Sequence, residues 1–88
     1  MTEDLTTRRK RLIYQSHHRG TKENDLILGA FAQSFVPAFD EAELSAYENI
    51  LAQDDGELFA FFSRKINEIE GCDTAMLNQI RATKPLAA

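Results

Sequence analysis

The residues able to do chemistry in this chain crowd into one stretch, Tyr14-Gln15-Ser16-His17-His18-Arg19-Gly20-Thr21-Lys22-Glu23-Asn24-Asp25-Leu26-Ile27-Leu28. Arg19 is a planar fork of five donors suited to carboxylates or backbone carbonyls, although a surface arginine can also be simply solvated. Gly20 has two compatible readings, a helix C-cap and a bare backbone that a partner can approach closely. Glu23 fits the start of a helix, where a negative charge gains about 0.3–1 kcal/mol, and spacing alone favours that reading over partner contact. An enzyme reading would make Glu23 and a histidine an acid–base pair. The chain offers no glycine-rich phosphate loop to hold a nucleotide cofactor. His17 and His18 are adjacent, project roughly 100° apart on a helix and cannot share one metal; they are expected to cap the end of the first helix. The lone Cys72 forms neither an internal disulfide nor a metal site.

These residues need elements to position them, and the apolar residues recur at three- and four-residue spacing, the period of helices rather than strands. A first helix is expected from Thr6 to His17, with Leu5, Leu12, Ile13 and Ser16 inward and the run Arg8-Arg9-Lys10-Arg11 largely outward. Gly20 stops it, and Thr21 is a plausible N-cap for a second helix that reaches Val36. Its apolar residues cover more than one face, so it should be the central, most buried helix. Pro37 disfavours helical geometry at Val36 and closes that segment. Asp40 and Glu43 resemble a capping box for a third helix with Leu44, Tyr47, Ile50 and Leu51 inward. Asp54-Asp55-Gly56 turns into a fourth, where Leu58, Phe59, Phe61 and Phe62 form an aromatic core cluster. Asp73 or Thr74 opens a fifth, carrying Met76, Leu77 and Ile80 and ending near Thr83, before Lys84-Pro85. The expected fold is an all-α, compact five-helix bundle with tight turns, a single domain over residues 1–88 whose ends, 1–5 and 85–88, are loose.

Composition narrows the function classes. The 88 residues are 43% hydrophobic and 27% charged, typical of a globular domain, and no apolar run approaches the ~20 residues that span a bilayer. The first residues carry Glu3 and Asp4 without an apolar signal core, and neither a secretory signal nor a mitochondrial transit peptide is expected, so the cytoplasm is the expected compartment. Net charge is −4, but residues 1–22 sum to +4 and the remainder to −8. The basic run on the first helix suits phosphates and allows a helix-turn-helix reading, a small nucleic-acid-binding regulator. Against it stands an isoelectric point near 5.0.

Arg19, Gly20 and Glu23 spell R-G-x-x-E, which resembles the signature of the SdhE-type flavinylation factors, also called succinate dehydrogenase assembly factor 2. The motif sits between two helices in a chain of fitting length. The basic helix ending in Tyr14-x-Ser16 is similar to the family's first helix, and Asp25, Leu28 and Phe31 to its second. Leu44, Tyr47 and Leu51, then Asp54-Asp55-x-x-Leu58-Phe59, are similar to the third and fourth. The resemblance covers roughly residues 8–62 and is loose from Ser63 onward. One departure is Phe61, where many members carry tryptophan. The resemblance implies an assembly chaperone, not an enzyme, that binds the flavoprotein subunit of succinate dehydrogenase and, in bacteria, fumarate reductase. It promotes attachment of FAD to a histidine of that subunit, binds no FAD stably itself and acts as a monomer without nucleic acid or membrane insertion. Its implied partner-binding residues are Arg19, Gly20, Glu23 and Asp25, with Arg11, Tyr14 and His18 on the adjoining helix.

Overall fold

Aspartates write most of the helix starts. In the computed structural model, which describes residues 3–83, Asp4 accepts the Thr7 amide at 2.7 Å and opens α1 (Leu5–His17). Asp40 and Glu43 form the expected capping box, at 2.8 and 2.9 Å, ahead of α3 (Glu41–Leu51). Asp54 caps α4 (Asp55–Phe62) and Asp73 caps α5 (Thr74–Ala82) in the same way. Each such cap is worth about 1 kcal/mol. The exception is α2 (Lys22–Phe35): Thr21 stands at the cap position with extended backbone, but its hydroxyl makes no cap hydrogen bond.

No strand occurs among the described residues, and five α-helices in chain order bear out the all-α bundle. The α2 helix is its spine, with Leu28–Ala32 buried without interruption. Phe31 sits at the centre, its ring 5.0 Å from Phe35, 5.5 Å from Tyr47 and 5.9 Å from Phe39. Leu12 from α1, Leu44, Ile50 and Leu51 from α3, Leu58 and Phe61 from α4, and Leu77 and Ile80 from α5 close around it. Ser16 faces inward because Tyr47 needs a partner there: the two hydroxyls lie 2.5 Å apart, and the Ser16 hydroxyl also donates to the Leu12 carbonyl at 2.7 Å. Burial holds the Tyr47 phenol well above its ordinary pKa, so it stays a neutral donor and acceptor.

Several expectations need correction. Pro37 does not force Val36 out of helical geometry; Val36 keeps φ −60°, ψ −35°, and the chain tightens into a single 3-10 turn, Val36–Ala38. Proline is harmless at the start of such a turn because no helical bond needs its missing N–H. Phe59 is not core: it is 41% exposed, whereas Phe61 is fully buried with the Arg81 guanidinium stacked 4.3 Å from its ring centroid. Leu5 is likewise exposed. The connection from Ser63 to Asp73 is no tight turn; Ile69 pins it into the core, and Arg64 takes a left-handed φ of 66°. Of the ends expected to be loose, residues 1, 2 and 85–88 lie outside the described residues. Glu3 and Asp4 are engaged, Asp4 as a cap and Glu3 in an ion pair with Arg11.

The arginine-rich run is also not a free outward face. Arg8 pairs with Glu48 and donates to Ser45 at 3.0 Å, Arg9 holds the Phe39 carbonyl at 2.8 and 3.0 Å, and Arg11 bridges Glu3 and Glu48 at 2.9 and 2.7 Å. Three of the four cations therefore latch α1 onto α3 and the segment before it. Burial alone would push the Glu48 carboxyl up, but the hydrogen bonds from Arg11 and Arg8 outweigh it and the net shift is downward.

Candidate partner-binding turn

Residues 18–21 carry the chain from α1 to α2, and the turn is fixed by its own polar groups. The Arg19 amide donates to the Asp25 carboxylate at 2.5 Å, closing the loop across the first turn of α2. Gly20 follows at φ +110°, in the region that favours glycine, and a Cβ built there would meet nothing within 4 Å. That face of the turn is open. Lys22 and Glu23 are exposed, and no hydrogen bond or ion pair joins the Glu23 side chain to another described residue.

Arg19 behaves differently from its neighbours. The resemblance names it for partner contact; its side chain folds inward, with 16% of its surface exposed. It donates from Nη1 to the Leu51 carbonyl, from Nη2 to the Gln53 carbonyl at 2.8 Å and from Nε to Asp55 Oδ1 at 3.0 Å. Leu51 closes α3 and Asp55 opens α4, so one cation caps the negative end of one helix and pairs with the acid at the start of the next. Only a fork of several coplanar donors can do both.

Asn24, a residue the sequence reading passed over, completes the arrangement. It is fully buried, and its Nδ2 donates to the Asp55 carbonyl at 3.0 Å and to Asp55 Oδ1 at 3.2 Å. The signal was present: Asn24, Leu28 and Phe31 share the i, i+4, i+7 stripe that α2 turns inward. Arg19 and Asn24 thus clamp Asp55 together and tie the turn to the α3–α4 junction.

On the α1 side, Tyr14 is 66% exposed and stacks on His18, with ring centroids 4.3 Å apart. His18 takes the C-cap position, as expected, through its backbone, while the His17 ring lies against α2. Arg11, Gln15, His18 and Arg19 line one side of a hollow of about 360 Å³, and Glu48 and Leu51 line the other. The Arg11 guanidinium is engaged by Glu3 and then Glu48, which hold it firmly protonated, and Arg19 is committed to carbonyls and Asp55. Both guanidiniums on this side of the hollow are therefore already partnered within the molecule. Of the seven candidate residues, Gly20, Glu23, Tyr14 and His18 are exposed, whereas Arg19, Asp25 and Arg11 are engaged within the molecule.

A pattern of this kind, an outward glycine and glutamate on a turn braced from behind by the arginine of R-G-x-x-E, can be compared with known proteins. A family model described as the flavinator of succinate dehydrogenase matches residues 10–84. The chain belongs to this family. The match runs through the C-terminal third, which the resemblance alone left loose. Among relatives, the mitochondrial succinate dehydrogenase assembly factor 2 of Dictyostelium discoideum is 37% identical over 73 residues, covering 83% of this chain and 52% of the relative. That of Caenorhabditis elegans is 34% identical over 79 residues, covering 88% and 66%. That of Cryptococcus neoformans is 41% identical over 63 residues, covering 72% and 36%. The chain spans about half the length of the relative from Dictyostelium, and from 36% to 66% of all three. Among the described residues of this flavinator-family chain, no helix is long and apolar enough to cross a membrane.

Proposed function

We propose that the chain is an assembly chaperone that docks, through the turn from Arg19 to Asp25, onto the flavoprotein subunit of succinate dehydrogenase and promotes covalent attachment of FAD to a histidine of that subunit. Fumarate reductase, whose flavoprotein poses the same chemical problem, is a second client. The observation that carries this reading is the division of labour within R-G-x-x-E. The arginine is spent bracing the turn, and the glycine and glutamate side of it is left outward, with no side-chain partner for Glu23 among the described residues. A rigid exposed turn loses little entropy on docking, so its contacts convert efficiently into affinity.

The chain supplies position rather than a reacting group. Flavin and histidine both belong to the partner, and holding them at near-attack distance is enough to accelerate bond formation by orders of magnitude. The chain itself holds no FAD, works as a monomer in the cytoplasm and needs no nucleic acid. The intramolecular pairing of Arg8, Arg9 and Arg11 weighs against phosphate binding by α1.

The test is co-production of the flavoprotein subunit with the wild-type chain or with Glu23→Ala, followed by in-gel flavin fluorescence of the denatured subunit. Glu23 is exposed, so the variant should fold normally, and covalent flavin should fall roughly tenfold, the equivalent of about 1.4 kcal/mol of docking energy. Wild-type levels of covalent flavin with the folded variant would remove the proposed role of the turn.

A further inference from the structure

Gly29 lies in the middle of α2, buried, where glycine costs a helix about 1 kcal/mol relative to alanine. Its φ is ordinary, so backbone conformation does not call for it. The reason lies across the helix pair: a Cβ at Gly29 would stand 2.6 Å from His17 Nδ1, 2.7 Å from Cε1 and 3.3 Å from Cγ. The His17 imidazole is seated on the bare backbone of α2. His17 is the last residue of α1, immediately before the turn.

The neighbouring layer is tied by other means. Ser16 of α1 meets the Tyr47 hydroxyl at 2.5 Å, and that hydroxyl reaches the Leu28 carbonyl of α2 at 3.5 Å. Residues 16 and 17 therefore face residues 28 and 29, and the two contacts together close the α1–α2 hairpin from below. Arg19 and Asn24 secure it from the side, through Asp55. The Gly29 seat is the one restraint of the set that depends on an absent side chain.

We propose that Gly29 is a positioning residue: its missing side chain is the seat of the His17 imidazole, and the seat sets where the Arg19–Glu23 turn stands for docking. This rests on the docking role given to the turn above. An alanine at 29 must displace the ring. His17 is only partly buried and its side chain can swing outward, so the bundle survives, but the end of α1 loses its stop against α2 and the turn loses its fixed height.

The experiment compares Gly29→Ala, His17→Ala and the double variant in the full chain, with two readouts. In the free protein, amide resonances of Arg19, Gly20 and Thr21 should move in Gly29→Ala relative to wild type, and adding Gly29→Ala to His17→Ala should leave them where His17→Ala puts them. In the co-production assay, Gly29→Ala should lose roughly tenfold in covalent flavin without a lower melting temperature, and the double variant should match His17→Ala, because an alanine at 29 meets nothing once the ring is gone. Unmoved resonances in Gly29→Ala, or a double variant with clearly less covalent flavin than His17→Ala, would overturn the proposal. Should Gly29→Ala fail to fold, the double variant decides: folded and as active as His17→Ala supports the seat, unfolded refutes it. If resonances follow the pattern but even the wild-type chain leaves flavin attachment unchanged, the docking reading fails and the seat stands.

Discussion

At the residue scale, Arg19 and Glu23 are both charged members of one short motif and do opposite work. Arg19 faces inward and ends α3 while starting α4, so Arg19→Ala should cost about 2–4 kcal/mol, because three charge-assisted bonds go and the Leu51 and Gln53 carbonyls lose their donor. In a domain of this size that lowers the melting temperature by roughly 10–20 °C, readable by circular dichroism. Arg19→Lys should recover little, since an ammonium cannot span the three acceptors. A melting temperature unchanged in Arg19→Ala would contradict the bracing role. The sequence made Arg19, Gly20 and Glu23 legible as a group but not the inward course of the arginine. Its partners, Leu51, Gln53 and Asp55, lie more than thirty residues away, and no local spacing reports them. Asn24 is hidden for a different reason: a polar residue beside Lys22, Glu23 and Asp25 looks like part of the turn, although it occupies the first position of the apolar stripe of α2.

At the element scale, local chemistry was the most readable. Asp40 with Glu43, Asp54 and Asp73 announced their helices because a cap is settled within three residues, whereas Val36-Pro37 was misread because a 3-10 turn is a tertiary compromise around the buried valine. Phe59 was assigned to the core by hydrophobicity alone, although α4 is short and only Leu58 and Phe61 of its face turn fully inward. The end of α4 carries a testable strain: Arg64 at φ 66° occupies a region where glycine pays no steric cost. Arg64→Gly should therefore raise stability by about 0.5–1 kcal/mol, a few degrees in a thermal melt. No gain would mean that the exposed arginine has a compensating contact.

The α1–α3 latch makes a prediction about pH. Glu48 has its pKa depressed in the folded state, so its contribution to stability is complete above the unfolded value, roughly 4.3, and is lost as pH falls through the folded value. The wild-type melting temperature should thus drop on acidification below about pH 4 more steeply than that of Glu48→Gln, whose contribution cannot titrate. Parallel curves for the two proteins would show that the latch adds nothing measurable, as partly exposed pairs sometimes do.

At the scale of the whole molecule, the charge asymmetry of the sequence acquires a structural meaning. The basic start of the chain is folded back against Glu48 of α3, which both Arg8 and Arg11 engage, so part of its charge is used in closing the bundle rather than displayed. What remains on offer around the motif is an open glycine, an exposed lysine and glutamate of opposite charge and a stacked tyrosine–histidine pair. Such a surface suits a protein partner better than a polyanion, and mobility of labelled DNA or RNA should not shift with this chain even at low salt. The most direct test of the account is the affinity of the purified chain for the flavoprotein subunit of succinate dehydrogenase, measured by isothermal titration for wild type and Glu23→Ala at matched fold stability. Wild type should bind, and the variant should bind roughly tenfold more weakly; equal affinity of the two, with melting temperatures unchanged, would show that Glu23 takes no part in docking.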